Sequence, residues 1–255
     1  MRILVTFAVD AEFAPWRRLR NLEEIRIGDV MAHKAQIGRA QVDLLVTGVG
    51  VKNATRVVNS ILAAKTPYQF CISSGFAGGL GEYSIGEILV AEAVQLLGKS
   101  KTLQCSRNLV HAARADGAKQ VKLFLTCNHV VRTVEEKSQL APFAGAVEME
   151  SFAIASVAQA HKVPMVAIRA ISDTTDRDMP VRVDTMVDEK GRLSVGGVVR
   201  QLVYHPLQLP ALIRLGRDSG TAAEALANFL EAFIKKLSFS SHGWPPPELQ
   251  EVAAR

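Results

Sequence analysis

Several runs of this chain are apolar on consecutive residues instead of alternate ones. RILVTFAV (2–9), VDLLVTGVG (42–50), GEILVAEAVQLL (86–97), VKLFLTCNHVV (121–131) and VPMVAIRAIS (163–172) all read this way. A strand with one wet face alternates in polarity, so continuous runs call for a sheet covered on both faces. Between them lie stretches with helical spacing, such as Val51–Ala64 with Val57, Val58, Ile61 and Leu62 on one stripe, and Glu150–His161. Strands alternating with helices define a three-layer α/β domain. Asp29–Ile37 reads as an edge hairpin, YQFCISSGFAGGL (68–80) as a strand entering a glycine-rich turn, and Pro210–Leu237 as one or two amphipathic helices. A single domain over 1–240 is expected, followed by a proline-rich tail over 241–255, SHGWPPPELQEVAAR.

Composition removes several function classes. No apolar run reaches the length of a membrane span, and MRILVTFAVDAEF meets Asp10 and Glu12 where a signal peptide needs small residues, so a cytoplasmic protein is expected. The net charge of +5 is spread along the chain and leaves no nucleic-acid footprint. Cys71, Cys105 and Cys127 have no CxxC spacing, and Cys71 and Cys127 sit in strand-like runs as small core residues. The histidines lack ligand spacing, so no metal is expected. GVGVKN has Asn53 where GxGxxG ends in glycine, and GxxxxGK[ST] is absent, which argues against dinucleotide and P-loop cofactors.

In α/β sheets, ligands bind beyond the carboxyl ends of the strands. Here those ends carry Asp10-Ala11-Glu12, GVG, SSGFAGG, Asn128-His129-Val130-Val131 and Ser172-Asp173. Arg169, inside a core-like run, must meet a carboxylate, line a cavity or lie at an exposed strand edge. Glu148 and Glu150 stand two apart before a helix. They complement its dipole, and either can take two hydrogen bonds from a vicinal diol such as ribose, with Met149 as an apolar surface between them. Asp173, shielded by apolar sequence, is suited to hold and donate a proton, and Glu12, in a loop after the first strand, to act as a base toward water. One acid, one base and one sugar clamp suffice to break a glycosidic bond.

These residues carry a family resemblance. AVEMESFAIASVA…VPMVAIRAISD, SSGFAGGL…SIGEILVAEAV and FAVDAEFAP resemble, in order, motifs of the nucleoside phosphorylase and nucleosidase superfamily, and most closely the 5′-methylthioadenosine/S-adenosylhomocysteine nucleosidases. The resemblance covers roughly residues 1–176. It implies the nucleoside-phosphorylase type of three-layer α/β/α sandwich with a mixed central sheet, and cleavage of the N-glycosidic bond of a purine nucleoside. Carried over by position, Glu12 would activate the nucleophile and Asp173 would protonate the purine at N7. Glu150 would grip the ribose hydroxyls beside Met149, Gly78 and Val131 would contact the purine, and Arg169 would help hold the nucleophile and Glu12. Phosphate is the one co-substrate implied, and water and phosphate both stay open as acceptor. Phe76 stands where the nucleosidases have serine, and Asn128-His129-Val130 replaces their aspartate, small residue and aromatic. Ser73, Ser74, Arg39 and Lys52 are the candidate phosphate donors. The later stretch VDEKGRLSVGGVVRQLVYHPLQLPALIRLGRD (187–218) is similar to hopanoid-associated phosphorylases, which would imply an adenosyl-hopanoid substrate. Members of the superfamily assemble, so a homodimer or larger homo-oligomer is implied. A non-catalytic nucleoside-binding protein and a dinucleotide-dependent oxidoreductase are the remaining readings.

Overall fold

The computed structural model describes residues 1–64, 66–179 and 209–239. The tail over 241–255 and most of the 187–218 stretch lie outside the described residues. Strands β1 (Arg2–Phe7), β4 (Ala40–Val46), β5 (Phe70–Ser73) and β11 (Met165–Asp173) run parallel at the centre. They are flanked by the antiparallel pair β2 (Glu23–Ile27) and β3 (Val30–Ile37). Beyond β11 come β6 (Phe76–Gly79), β10 (Ala146–Glu148), β9 (Lys119–Thr126), β7 (Ile88–Leu96) and β8 (Thr102–Gln104) in one 11-stranded mixed sheet. β7 also pairs with β11 through Ile168–Ala170, so β11, β6, β10, β9 and β7 close on themselves.

The helices are α1 (Asp10–Leu19), α2 (Val51–Ala63), α3 (Arg107–Ala115), α4 (Val134–Leu140), α5 (Ser151–Ala160) and α6 (Leu209–Phe239). Two pairs, α1 with α6 and α2 with α5, cover the sheet. α6 is one unbroken helix whose Ala222, Leu226, Leu230, Phe233 and Ile234 form a buried stripe at helical spacing. Its Glu231 accepts hydrogen bonds from Trp16 Nε1 and Arg20 Nε, both 2.9 Å, which fixes α1. The three cysteines are free and buried, as expected for Cys71 and Cys127.

Two sequence expectations change. FAGG is not a turn but strand β6, and it continues the register of β5 along the same edge of β11. Only Ser74-Gly75 interrupts the two. There the chain leaves β1, its last link being Ser74 N and Oγ to Thr6 O, and takes up β10 as its neighbour. The sheet therefore forks at Gly75, and a fork is where an open sheet leaves a crevice. Glu12, in turn, is not in a loop but in the first turn of α1.

Candidate active site

At the fork, the amide of Phe76 has no strand to bond. Glu12 supplies the acceptor: its Oε1 takes Phe76 N–H at 2.7 Å, and its Oε2 takes Ala8 N–H at 2.7 Å and Val9 N–H at 3.2 Å. Gly75 makes the approach possible, since a Cβ there would lie 2.7 Å from Glu12 Oε1 and the backbone sits at φ +146°. The carboxylate is buried, and that burial raises its pKa above the ordinary value, although the three amides and Arg169 pull the other way.

Glu148 and Glu150 divide the work that their spacing suggested they share. Glu148 ends β10 and caps α5, its Oε2 accepting from Glu150 N (2.9 Å) and Ser151 N (2.7 Å). The same oxygen receives Arg169 Nη2 at 2.6 Å, and Thr126 Oγ1 donates to Oε1. Arg169 is thus no edge residue: it is 1% exposed in the middle of β11 and bonds Ser73 O (2.8 Å), Ile168 O (3.0 Å) and Ser151 Oγ (2.8 Å) as well. Its Nη hydrogens are engaged by protein acceptors, so it acts on Glu12 through charge rather than by a bond.

Glu150 faces the other way. Its Oε1 takes the N–H of Gly50, which opens α2 at φ +91° in a conformation that suits glycine. Burial first, then the charge of Glu148, push its carboxyl up to about 8. The folded chain therefore keeps a proton that the unfolded chain sheds near 4.5. Stability falls as pH rises through that window, by up to about 1.4 kcal/mol per pH unit. Glu150→Gln removes this slope, so the variant should gain thermal stability over the parent between pH 5 and pH 8. A melting-temperature difference that is the same at both pH values would contradict it.

Asp173 ends β11, where the pairing with β6 skips Ser172; such bulges re-aim the side chain that follows. Its partner across the ladder is Gly78, whose missing Cβ would sit 3.6 Å from Asp173 Oδ2 and 3.1 Å from Val147 Cγ2. The absent side chain leaves a narrow slot, bounded by Val147 and the carboxylate. Val131 packs under the same region with Leu80, Leu125, Cys127 and Val147, while Met149 is half-buried just before the α5 cap. Burial raises the Asp173 pKa, opposed by Lys137, whose Nζ stands 2.5 Å from Oδ2. Lys137 is thus the charged partner of this carboxyl group.

The sites of Glu12 and Asp173 are joined by β6. Phe76, which bonds Glu12, and Gly78, which flanks Asp173, are two residues apart, or about 7 Å along a strand. Glu150 senses the charge of Glu12 and of Arg169. The helix-start role that the sequence offers to both glutamates falls to Glu148, and Lys137 was not visible beforehand. Lys137 lies in VEEKSQL, which reads as a solvated helix, and only the fold turns it inward to 0% exposure. Of the candidate phosphate donors, Ser73 bonds Arg169, Ser74 bonds Thr6, Arg39 stacks 5.6 Å over Phe239, and Lys52 is exposed. No group of His, Cys, Asp and Glu suited to a metal ion occurs among the described residues. No helix among them is long and apolar enough to cross a membrane.

The forked mixed sheet carries three buried carboxylates, Glu12, Glu150 and Asp173, at or just past strand ends, where α/β sheets of enzymes bind their ligands. The chain belongs to the phosphorylase superfamily, whose pattern it matches over residues 2–203. Similar sequences include the 5′-methylthioadenosine/S-adenosylhomocysteine nucleosidases of Desulfotalea psychrophila and Staphylococcus epidermidis. The first is 27% identical over 180 residues, covering 61% of this chain and 76% of the relative. The second is 27% identical over 213 residues, covering 73% and 92%. Among solved structures, futalosine hydrolase of Helicobacter pylori superposes with a TM-score of 0.70 at 21% identity, over 92% of this chain and 98% of that one. The Helicobacter pylori 5′-methylthioadenosine/S-adenosylhomocysteine nucleosidase does so at 0.70 and 22%, again over 92% and 98%. The expected fold type is thereby met, and the chemistry of the class is cleavage of the N-glycosidic bond of a nucleoside.

Proposed function

We propose that this chain hydrolyses the N-glycosidic bond of a purine nucleoside, with adenine as the base and a substituent at the 5′ position. Asp173 protonates the purine at N7, Glu12 takes a proton from the attacking water, and Glu150 holds the ribose hydroxyls with Met149 beside the sugar. The base enters the slot over Gly78, near Val131. One observation carries the reading: two buried carboxylates, Glu12 and Asp173, meet the same strand β6 at Phe76 and Gly78, residues about 7 Å apart along it. The transition state is a cationic, oxocarbenium-like ribose departing from a neutralised base. Carboxylates near the sugar and a proton on the base both stabilise it more than the ground state.

Charge supports water over phosphate. Glu12, Glu148 and Glu150 are gathered around a single guanidinium, Arg169, whose Nη hydrogens are already bonded. Among the described residues, a dianion entering there would meet the Glu148 carboxylate, and the Nη hydrogens of Arg169 are already committed to it and to Ser73. The names of the relatives support adenine and 5′-substitution.

The test is a product assay on several 5′-substituted adenosines, with and without phosphate. Free adenine and a free ribose product, at a rate indifferent to phosphate, are expected. A ribose 1-phosphate product would replace hydrolysis by phosphorolysis. Binding without release of base would leave a nucleoside-binding protein. Gly78→Ala should cut turnover of purine nucleosides, since the added methyl would press on Val147 at 3.1 Å and fill the space beside Asp173. Unchanged KM and kcat in that variant would move the base elsewhere.

A further inference from the structure

Lys137 is a buried cation that the reaction as described does not use. It comes from the short helix α4, is 0% exposed, and reaches across to the segment that follows β11. Its Nζ donates to Thr174 O at 2.6 Å and Arg177 O at 3.2 Å, and it pairs with Asp173 Oδ2 at 2.5 Å. The rest of α4 is tied to the same segment, Val134 N–H to Asp178 Oδ1 (2.7 Å) and Met179 N–H to Arg132 O (2.8 Å). Burying an ammonium is costly unless its charge and hydrogens are met. Two carbonyls would have satisfied the hydrogens of a neutral amide, and only the carboxylate calls for the charge.

We infer that Lys137 is a positioning residue for the proton transfer, holding Asp173 beside the Gly78 slot and stabilising the carboxylate left when its proton moves to the purine. The inference rests on the proposed role of Asp173. The step balances simply: the Asp173 O–H bond breaks, an N7–H bond forms, and the electron pair of the broken bond stays on Asp173 as a negative charge. That charge develops against Lys137, so the ion pair is stronger after the transfer than before it, which is the condition for catalysis. Asp173 is faced by Lys137 from α4 and by Arg177 and Asp176 from its own following segment. Burial raises the proton affinity of Asp173 and Lys137 is the largest influence against it, which keeps the acid from holding its proton too firmly.

Lys137→Gln tests this, because the amide can still donate to the Thr174 and Arg177 carbonyls but carries no charge. With a purine nucleoside, kcat should fall roughly 10- to 100-fold with little change in KM. That is less than for a donor touching the reacting atoms, because Lys137 works through Asp173. The alkaline limb of the kcat–pH profile should move up by about one pH unit or more, as expected when a cation is removed from a carboxyl group. Lys137→Arg should restore most of the rate and the original limb. Hydrolysis of 4-nitrophenyl ribofuranoside, whose phenolate leaves unprotonated, should be nearly unaffected in both variants. Equal loss on both substrates, or an unmoved limb, would reduce Lys137 to a structural residue. A parent enzyme that releases no base from any purine nucleoside would overturn the functional reading itself, and the role of Lys137 with it.

Discussion

Asp173→Asn is expected to lower kcat for purine nucleosides by about 10²- to 10⁴-fold, the range typical of losing a positioned general acid. The substitution is nearly isosteric. The Asn side-chain oxygen can still face Lys137, Gly78 still leaves its slot, and the bulge at Ser172 is unchanged. What disappears is the transferable proton. The parent should also lose activity as pH rises through the Asp173 value, which burial holds above the ordinary carboxylate range, because only the protonated form can donate. The variant should show no such limb. The same linkage has a stability side: with its folded pKa raised, Asp173 favours the folded chain most at low pH, and the advantage fades as pH climbs through the folded value. Purine nucleoside turnover in Asp173→Asn within a few-fold of the parent would remove Asp173 as the acid.

The sequence was most legible where continuous patterns carry information. The unbroken apolar runs at 2–9 and 163–172 are the central strands, because only a sheet buried on both faces accepts them. Glu12, Glu150 and Asp173 could be singled out because each carboxylate sits where an apolar strand ends or a helix begins. What stayed hidden depends on contacts between distant segments. FAGG reads as a turn by composition, and it is a strand because β10 and β11 pair with it on either side. Arg169 announces only that it needs a partner. That the partner is Glu148, and not the nucleophile, follows from β10 ending beside β11 across the closed set of strands. Lys137 carries no signal at all, since one lysine in a charged heptapeptide looks solvated until α4 folds onto the segment after β11.

Glu12→Gln should differ from the Asp173 variant by harming both chemistry and fold. All three hydrogen bonds to the Glu12 carboxylate come from backbone N–H donors, two on Oε2 and one on Oε1. A glutamine keeps one oxygen, best placed against Ala8 and Val9, and turns its NH₂ toward the amide of Phe76. Two donors then face each other in a buried site where β1 and β10 have already parted and no strand can take over. An orphaned buried amide costs about 1–3 kcal/mol, and melting temperature should drop by a few degrees for a chain of this size. Part of that loss is offset at high pH, because the parent must ionise a carboxyl group whose pKa burial has raised, and the glutamine need not. Stability of the variant relative to the parent should therefore improve as pH rises, while activity stays low throughout. The rate should fall about 10²- to 10⁴-fold, since neither of the neighbouring carboxylates among the described residues is placed to take the proton from water. Glu148 is fixed by Arg169 and the α5 cap, and Glu150 is bonded to Gly50. Nucleoside affinity measured by equilibrium dialysis should change little, because Asp173, Gly78 and Glu150 remain. If the variant hydrolyses adenine nucleosides within tenfold of the parent while folded, the base is some other group, and the fork at Gly75 serves structure alone.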